Sequence, residues 1–219
     1  MIIHFEGVDG SGKSTQLKRV KEYLESIGKL VVSLRQPGVN DLGEKIREIL
    51  LSGQYVMNEN TRRFLYAADH AELVQFYEAY RGMSSVPPSW KLELTHPLSE
   101  YNVLIDRYSP LSNIIFGHCG DLLPLNEVKS VSKISSRSIY PDLIIVYTVS
   151  EETMTERLEG RDGNNFYDLK GKDFRDRVRE GYENSHMYLT GERLVYIDGN
   201  GSEDEVFIKT IKEINEYII

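Results

Sequence analysis

Cysteine is nearly absent from this 219-residue chain: Cys119 stands alone, which excludes an intramolecular disulfide framework and any zinc site built from several thiolates. A reducing compartment is implied. Positive charge is also scarce. With 26 Lys and Arg against 34 Asp and Glu, the net charge is -8, which argues against a protein that holds duplex nucleic acid by counterion release. Long apolar runs are missing too. Stretches such as Leu143-Ile144-Ile145-Val146-Tyr147 fall far short of the ~18 to 20 residues needed to cross a bilayer. The opening MIIHFEGVDG lacks the basic, then apolar, then small-residue order of a secretory leader. The expectation is a cytoplasmic chain with no membrane partner. Neither an internal repeat nor a low-complexity linker divides it, so one domain over 1–219 is expected.

What is present is a globular composition, 40% hydrophobic and 27% charged, in which short β-branched runs alternate with segments of helical period. Strands are expected at 2–6, 30–34, 102–106, 142–148 and 194–198, each apolar enough to be buried on both faces. Helices are expected at 14–27, 41–51, 61–80, 151–158, 174–188 and 203–217. The fold class that follows is α/β, with five parallel strands between two helical layers. Ser202 followed by Glu205 matches a capping box, Ser150 suits an N-cap and Gly28 suits a helix C-terminus. Residues 81–90, RGMSSVPPSW, break the helical period and read as a surface insertion. Residues 160–173 read as a mobile loop.

Gly7-Val8-Asp9-Gly10-Ser11-Gly12-Lys13-Ser14 fits the G-x-x-x-x-G-K-[ST] phosphate loop, and it lies after a strand and before a helix, as the mechanism requires. Glycines let successive N–H groups turn toward one phosphate, and the helix N-terminus adds partial positive charge. Gly7, Asp9, Gly10, Ser11, Gly12, Lys13, Ser14 and Thr15 are therefore the expected ATP-binding residues. Lys13 suits the β- and γ-phosphates. The Ser14 hydroxyl suits Mg²⁺, which keeps few protein ligands beside waters and phosphate oxygens. Asp106, at the end of an apolar strand, is placed near the Mg²⁺ hydration shell or against Lys13; a strand-end turn is its alternative.

Several segments together resemble the thymidylate kinase family of nucleoside monophosphate kinases. FEGVDGSGKSTQ is similar to its phosphate loop, RQPGVNDLGEKIREIL to its Arg-Glu-Pro-Gly-Gly segment and following helix, and FLYAADHAELV to its nucleotide-binding helix. LIDRYSPLS matches its Asp-Arg-Tyr motif, and YPDLIIVYTV, ERLEGRDG and FRDRVREGY resemble its later strand, lid and post-lid helix. The resemblance implies a P-loop three-layer α/β/α fold, a homodimer, and transfer of the γ-phosphoryl group of ATP to a deoxynucleoside monophosphate, most simply thymidylate. It implies that Arg35, Tyr66, His70, Arg107, Tyr108 and Ser112, with Asp9, meet the monophosphate. Tyr66 stands at the base-stacking position, with core packing as the alternative; Asp9 orients Arg107 or the nucleotide, with helix capping as the alternative. The lid over 160–173 offers Arg161 as the first cation for transition-state charge, and Arg157, just before it, is the second.

Physical reasoning reaches the same reaction class. A phosphate acceptor is already anionic and needs positive charge to suppress repulsion rather than a strong base. Several positions depart from the resemblance, among them Glu159, Asn164 and Asn165, which make the lid less basic than usual. His70 stands where the family has arginine, so a permanent clamp becomes a group whose charge depends on pH; Gln36 replaces the usual glutamate; Ile115 and Phe116 replace a common Tyr-Gln pair. These leave open another or a modified deoxynucleotide, or a nucleotide-binding relative that catalyses poorly.

Overall fold

The computed structural model describes residues 1–87, 90, 92–137, 140–159, 167, 170–189 and 191–218. Five strands, β1 (Ile2–Gly7), β2 (Val31–Arg35), β3 (Asn102–Asp106), β4 (Leu143–Thr148) and β5 (Leu194–Asp198), form one parallel sheet in the order β2-β3-β1-β4-β5. Every strand lies within one residue of its expected span at each end.

Alternation along the strands divides the core. Ile3 and Phe5 of β1 with Leu143, Ile145 and Tyr147 of β4 pack on α1 (Lys13–Ser26) and α8 (Glu203–Ile218) through Leu17, Val20, Leu24, Val206 and Ile214. Ile2, Val103 and Ile105 turn the other way, onto Leu73, Phe76 and Tyr77 of α3 (Glu59–Tyr80). Ile144 and Val146 meet Tyr108, Ile115, Val178 and Tyr182 on that same side. Each fully buried aliphatic or aromatic side chain contributes about 1.5–3 kcal/mol relative to exposure, so the period-2 pattern is the main energetic reason for this layering.

Helix ends follow local chemistry. In the capping box, Ser202 N donates to Glu205 Oε2 at 2.8 Å and Glu205 N donates to Ser202 Oγ at 3.3 Å. Ser150 Oγ accepts from Thr153 N at the start of α6 (Glu151–Glu159), and Gly28 takes a φ of 77° after α1. The helix α2 (Asp41–Leu51) matches its expectation, with Asn40 as N-cap.

Three elements differ from the sequence reading. A short helix α4 (Ser109–Ile114) continues into a π-helical segment Ile115–Gly120, and α5 (Leu125–Ser136) follows. Its inward face is Val128 with Ser132, Ser135 and Ser136, so small polar residues replace the apolar period that would have revealed a helix. The helix expected at 174–188 is α7 (Lys172–Glu183), which starts at the end of the expected loop and stops earlier. In the expected surface insertion at 81–90, of which 88 and 89 lie outside the described residues, Trp90 is 3% exposed and packs on Phe76 with ring centroids 5.3 Å apart. Most of the expected lid, including Arg161, lies outside the described residues. No described helix is long and apolar enough to cross a membrane.

Candidate active site

Parallel strands deliver their following loops to one edge, the usual place for a ligand crevice in an open α/β sheet. Because Phe5 pairs with Asp106, and Asp106 with Arg35, the loops after β1, β3 and β2 converge. Between them opens a cleft of about 760 Å³.

The phosphate loop forms one wall. Gly12 takes a φ of 86° as it enters α1, and a Cβ on Gly7 would meet Tyr147 O at 2.5 Å, so both glycines are required by backbone geometry. Lys13, buried at 7% exposure, lies 3.4 Å from Asp9 Oδ1 and donates to Val8 O. Ser11 and Thr15 line the same wall. Across from it, Ser14 Oγ donates to Asp106 Oδ2 at 2.5 Å, so Asp106 meets Ser14 and Lys13 meets Asp9. Asp106 Oδ1 is buried without a hydrogen-bond partner among the described residues. A hydroxyl beside a carboxylate oxygen that still needs a partner is a donor set suited to a hard divalent cation that retains waters.

Arg107 lies between the two walls. Its Nη2 lies 2.5 Å from Asp9 Oδ1, and Nη1 donates to Tyr182 OH at 3.2 Å and faces Glu6 Oε2 at 3.8 Å. Burial opposes its charge, but Asp9, Tyr182, Glu6 and Asp106 outweigh that effect and hold it firmly protonated. Glu6 is fully buried and accepts from Tyr108 N, Ser112 Oγ and Tyr182 OH at 2.6, 2.6 and 2.8 Å. Burial raises its pKa, with Arg107 and these hydrogen bonds pulling the other way. Ser112 lines the cleft with its hydroxyl committed to Glu6.

Arg35 lines the cleft and pairs with Glu44 through both carboxylate oxygens, at 2.8 and 3.0 Å. Arg157 spans the phosphate loop and the segment after β5, donating to Gly10 O at 3.1 Å and Gly199 O at 2.9 Å. Tyr66 lines the far end, its ring 5.0 Å from the Arg63 guanidinium.

Gly7 turns the backbone behind the lining residues, and two residues expected at the monophosphate are not brought to the cleft. Tyr108 is fully buried, with its ring between those of His4 and His70. His70 is also fully buried, and burial, followed by the proximity of His4, lowers its pKa to about 3. Its Nδ1 lies 3.1 Å from Gln36 Nε2. The same Nδ1 lies 3.2 Å from Gln36 Oε1, which also accepts from Ser109 N, so the Gln36 amide faces one side of the ring while Nε2 is buried without a partner among the described residues. A pH-dependent clamp is therefore corrected to a neutral imidazole behind Gln36. The two departures, at 36 and 70, are in contact with one another through Nδ1.

Phe116, noted in the sequence only as a departure, lines the cleft, and Arg47, Arg63 and Asn113, which escaped the sequence reading, line it too. Arg63 donates to Tyr167 OH at 2.6 Å, and Tyr167 packs on Phe116 at 4.7 Å. Asn113 offers an amide whose nitrogen and oxygen are both buried and unpartnered among the described residues. The spacing of Arg63 three positions before Tyr66 was an available signal, since i and i+3 share a helix face. For Arg47 and Asn113 there was none.

With this geometry in view, the comparison with known proteins is specific: a family model for thymidylate kinase matches residues 5–209. The chain belongs to the thymidylate kinase family. It is 34% identical to the thymidylate kinase of Thermosipho africanus over 215 residues, covering 97% of this chain and 98% of that one. It is 32% identical to that of Caldanaerobacter subterraneus subsp. tengcongensis over 218 residues, covering 99% and 95%. Against that of Caldicellulosiruptor saccharolyticus it is 34% identical over 218 residues, covering 99% and 96%. The family match includes the phosphate loop, Asp106-Arg107-Tyr108 and the helix bearing Tyr66, so the cleft is built from segments that belong to the family.

Proposed function

We propose that this chain transfers the γ-phosphoryl group of ATP to thymidine 5′-monophosphate, giving dTDP and ADP, a step of dTTP biosynthesis. The observation that carries the reading is the meeting of the phosphate loop with Asp106 and Arg107 in one cationic cleft. Lys13, Arg35, Arg47, Arg63, Arg107 and Arg157 line it against Asp9, Asp106 and Glu203. Two polyanions brought together need such an excess of positive charge.

On this reading the backbone N–H groups of residues 10–15 and Lys13 hold the donor phosphates. Arg107, kept in place by Asp9, holds the acceptor phosphate with Arg35 and Arg47 nearby. An acceptor phosphate oxygen attacks the γ-phosphorus as the bond to the β–γ bridging oxygen breaks. That oxygen is already anionic, so no general base is required and positioning supplies most of the catalysis. Ser14 and Asp106 are the residues that would hold Mg²⁺, which neutralises charge on the transferring phosphates when bound. Tyr66, Phe116 and Asn113 surround the far end, where an aromatic base finds two ring faces and an amide able to donate and accept. Arg157 flanks the donor side, and Arg161, outside the described residues, keeps the role of transition-state cation that the resemblance gives it.

A homodimer, a cytoplasmic location and one domain over 1–219 with a lid at 160–173 belong to the same proposal. ATP supply and a free Cys119 thiol support the location. The function is tested by incubating the chain with Mg-ATP and each common ribo- and deoxynucleoside monophosphate, with identification of the diphosphate formed. Preferential formation of dTDP is the expected result; preference for another acceptor, or turnover of none, overturns it.

A further inference from the structure

Arg107 is the only non-glycine residue lining the cleft, among those described, whose φ is positive, at 76°. A bulky side chain stays in that sparsely populated region only where its surroundings over-determine it. Three groups of β1 surround this turn. Phe5 O accepts from Arg107 N at 2.8 Å, Glu6 Oε1 accepts from Tyr108 N at 2.6 Å, and His4 Nδ1 lies 2.7 Å from Arg107 O. The first is a main-chain bond available to any residue at position 5. The third is the side-chain bond to the carbonyl oxygen of the strained residue.

His4 is fully buried. Its ring packs edge-on against Tyr108 with centroids 4.9 Å apart, and its Nε2 meets the Tyr77 hydroxyl. A carbonyl oxygen only accepts, so the nitrogen facing Arg107 O must carry the proton, and Nε2 must then accept from Tyr77. Both ring nitrogens are satisfied in one tautomer. A strand residue wanted only for core packing has no need of either bond.

We propose that His4 is a positioning residue for phosphoryl transfer: its Nδ1–H, donated to Arg107 O, pins the backbone turn that sends the Arg107 guanidinium back to Asp9. The inference rests on the reading of Arg107 as the cation for the acceptor phosphate. Without the donor, the 107 carbonyl loses this partner, the turn relaxes toward negative φ, and the guanidinium leaves the line between acceptor and donor. The donor-phosphate contacts of residues 10–15 do not pass through His4, so the effect falls on the acceptor.

Two measurements test this. In the full-length wild-type chain, long-range ¹H–¹⁵N correlation reads the His4 tautomer directly, assigned among the five histidines by its absence in a His4 variant. Protonated Nδ1 with bare Nε2 is expected, and protonation at Nε2 overturns the proposal whatever the variants do. In steady-state kinetics, His4→Asn places an amide near Nδ1 and His4→Gln places one near Nε2. His4→Gln is expected to raise the dTMP KM and lower kcat, changing kcat/KM roughly tenfold or more, the scale of one lost buried hydrogen bond, with the ATP KM little changed. His4→Asn should recover most of that loss. Tyr77→Phe, which removes the Nε2 partner and leaves the Arg107 contact, should keep the kinetics even if stability falls. Equal losses in His4→Asn and His4→Gln, or an equal loss in Tyr77→Phe, assign the effect to packing and overturn the proposal. Failure of the wild type to phosphorylate dTMP overturns the proposed function instead, and the tautomer still decides the His4 contact.

Discussion

Gln36 Nε2 lies 3.1 Å from His70 Nδ1, and this contact joins the cleft to the core behind it. Gln36 is on the wall and His70 is beneath it. The amide also donates toward Asp69, whose carboxyl is raised to about 6 by burial, against the pull of hydrogen bonds from Gly38, Val39 and Gln36. Burial on every side makes the charged imidazolium costly, so protonating His70 places an unfavourable charge in the core.

The first prediction follows from that sign. The His70 pKa is about 3 in the folded chain and about 6.5 when unfolded, so between these values the unfolded state binds the extra proton. His70 therefore takes stability away as pH falls below 6.5, by up to about 1.4 kcal/mol per pH unit. Asp69 and Glu6, raised by burial, act in the opposite sense and are common to wild type and variant. Urea denaturation from pH 7.5 to 5 should find His70→Gln gaining stability relative to wild type as pH falls. A constant difference would place the folded pKa near its ordinary value.

Dependence of acceptor affinity on pH should likewise contain no histidine step from His70. Its neutral ring does not line the cleft, and the phosphate's own ionisation near pH 6 is the titration expected. The dTMP KM of wild type and His70→Gln should follow parallel profiles.

Lys13→Ala should lower kcat by roughly 1,000-fold, the upper scale for losing one preorganised group that stabilises transition-state charge. The fold should persist, because Asp9 keeps Arg107 as a partner. Circular dichroism and thermal melting check the second statement; near-normal turnover in a folded variant would contradict the first.

Asp106→Asn should raise the Mg²⁺ concentration giving half-maximal rate by about tenfold or more, the scale for groups that orient or adjoin a metal ligand. An amide can still accept from Ser14, so the hydroxyl keeps its orientation while the charge is removed. Unchanged Mg²⁺ dependence would leave Asp106 only the role of holding Ser14.

Trp90, the single tryptophan, packs on Phe76. Truncation to alanine should destabilise the chain by about 3–5 kcal/mol, measured by urea denaturation followed by circular dichroism. Wild-type emission should be blue-shifted when folded and move to the red on unfolding. A loss below about 1 kcal/mol would mean that the site collapses around the missing ring.

The sequence by itself determined the five strands, six of the eight described helices, the capping box at Ser202 and the phosphate loop. Each is written in local order: a period of 2 or 3.6, a cap at fixed spacing, or a glycine where the backbone turns. Tertiary structure alone decided which side chains reach the cleft. On α3, Arg63 and Tyr66 face it and His70 does not, although all three fall on neighbouring turns of one face, because the helix passes from the cleft mouth onto the sheet and the ends of its stripe meet different surroundings. The serine-faced α5 shows no apolar period, since close helix contact there needs small volume rather than hydrophobicity. Arg47, Asn113 and the left-handed Arg107 held by His4 depend on elements brought together from distant parts of the chain, where strand register sets positions that no local spacing encodes.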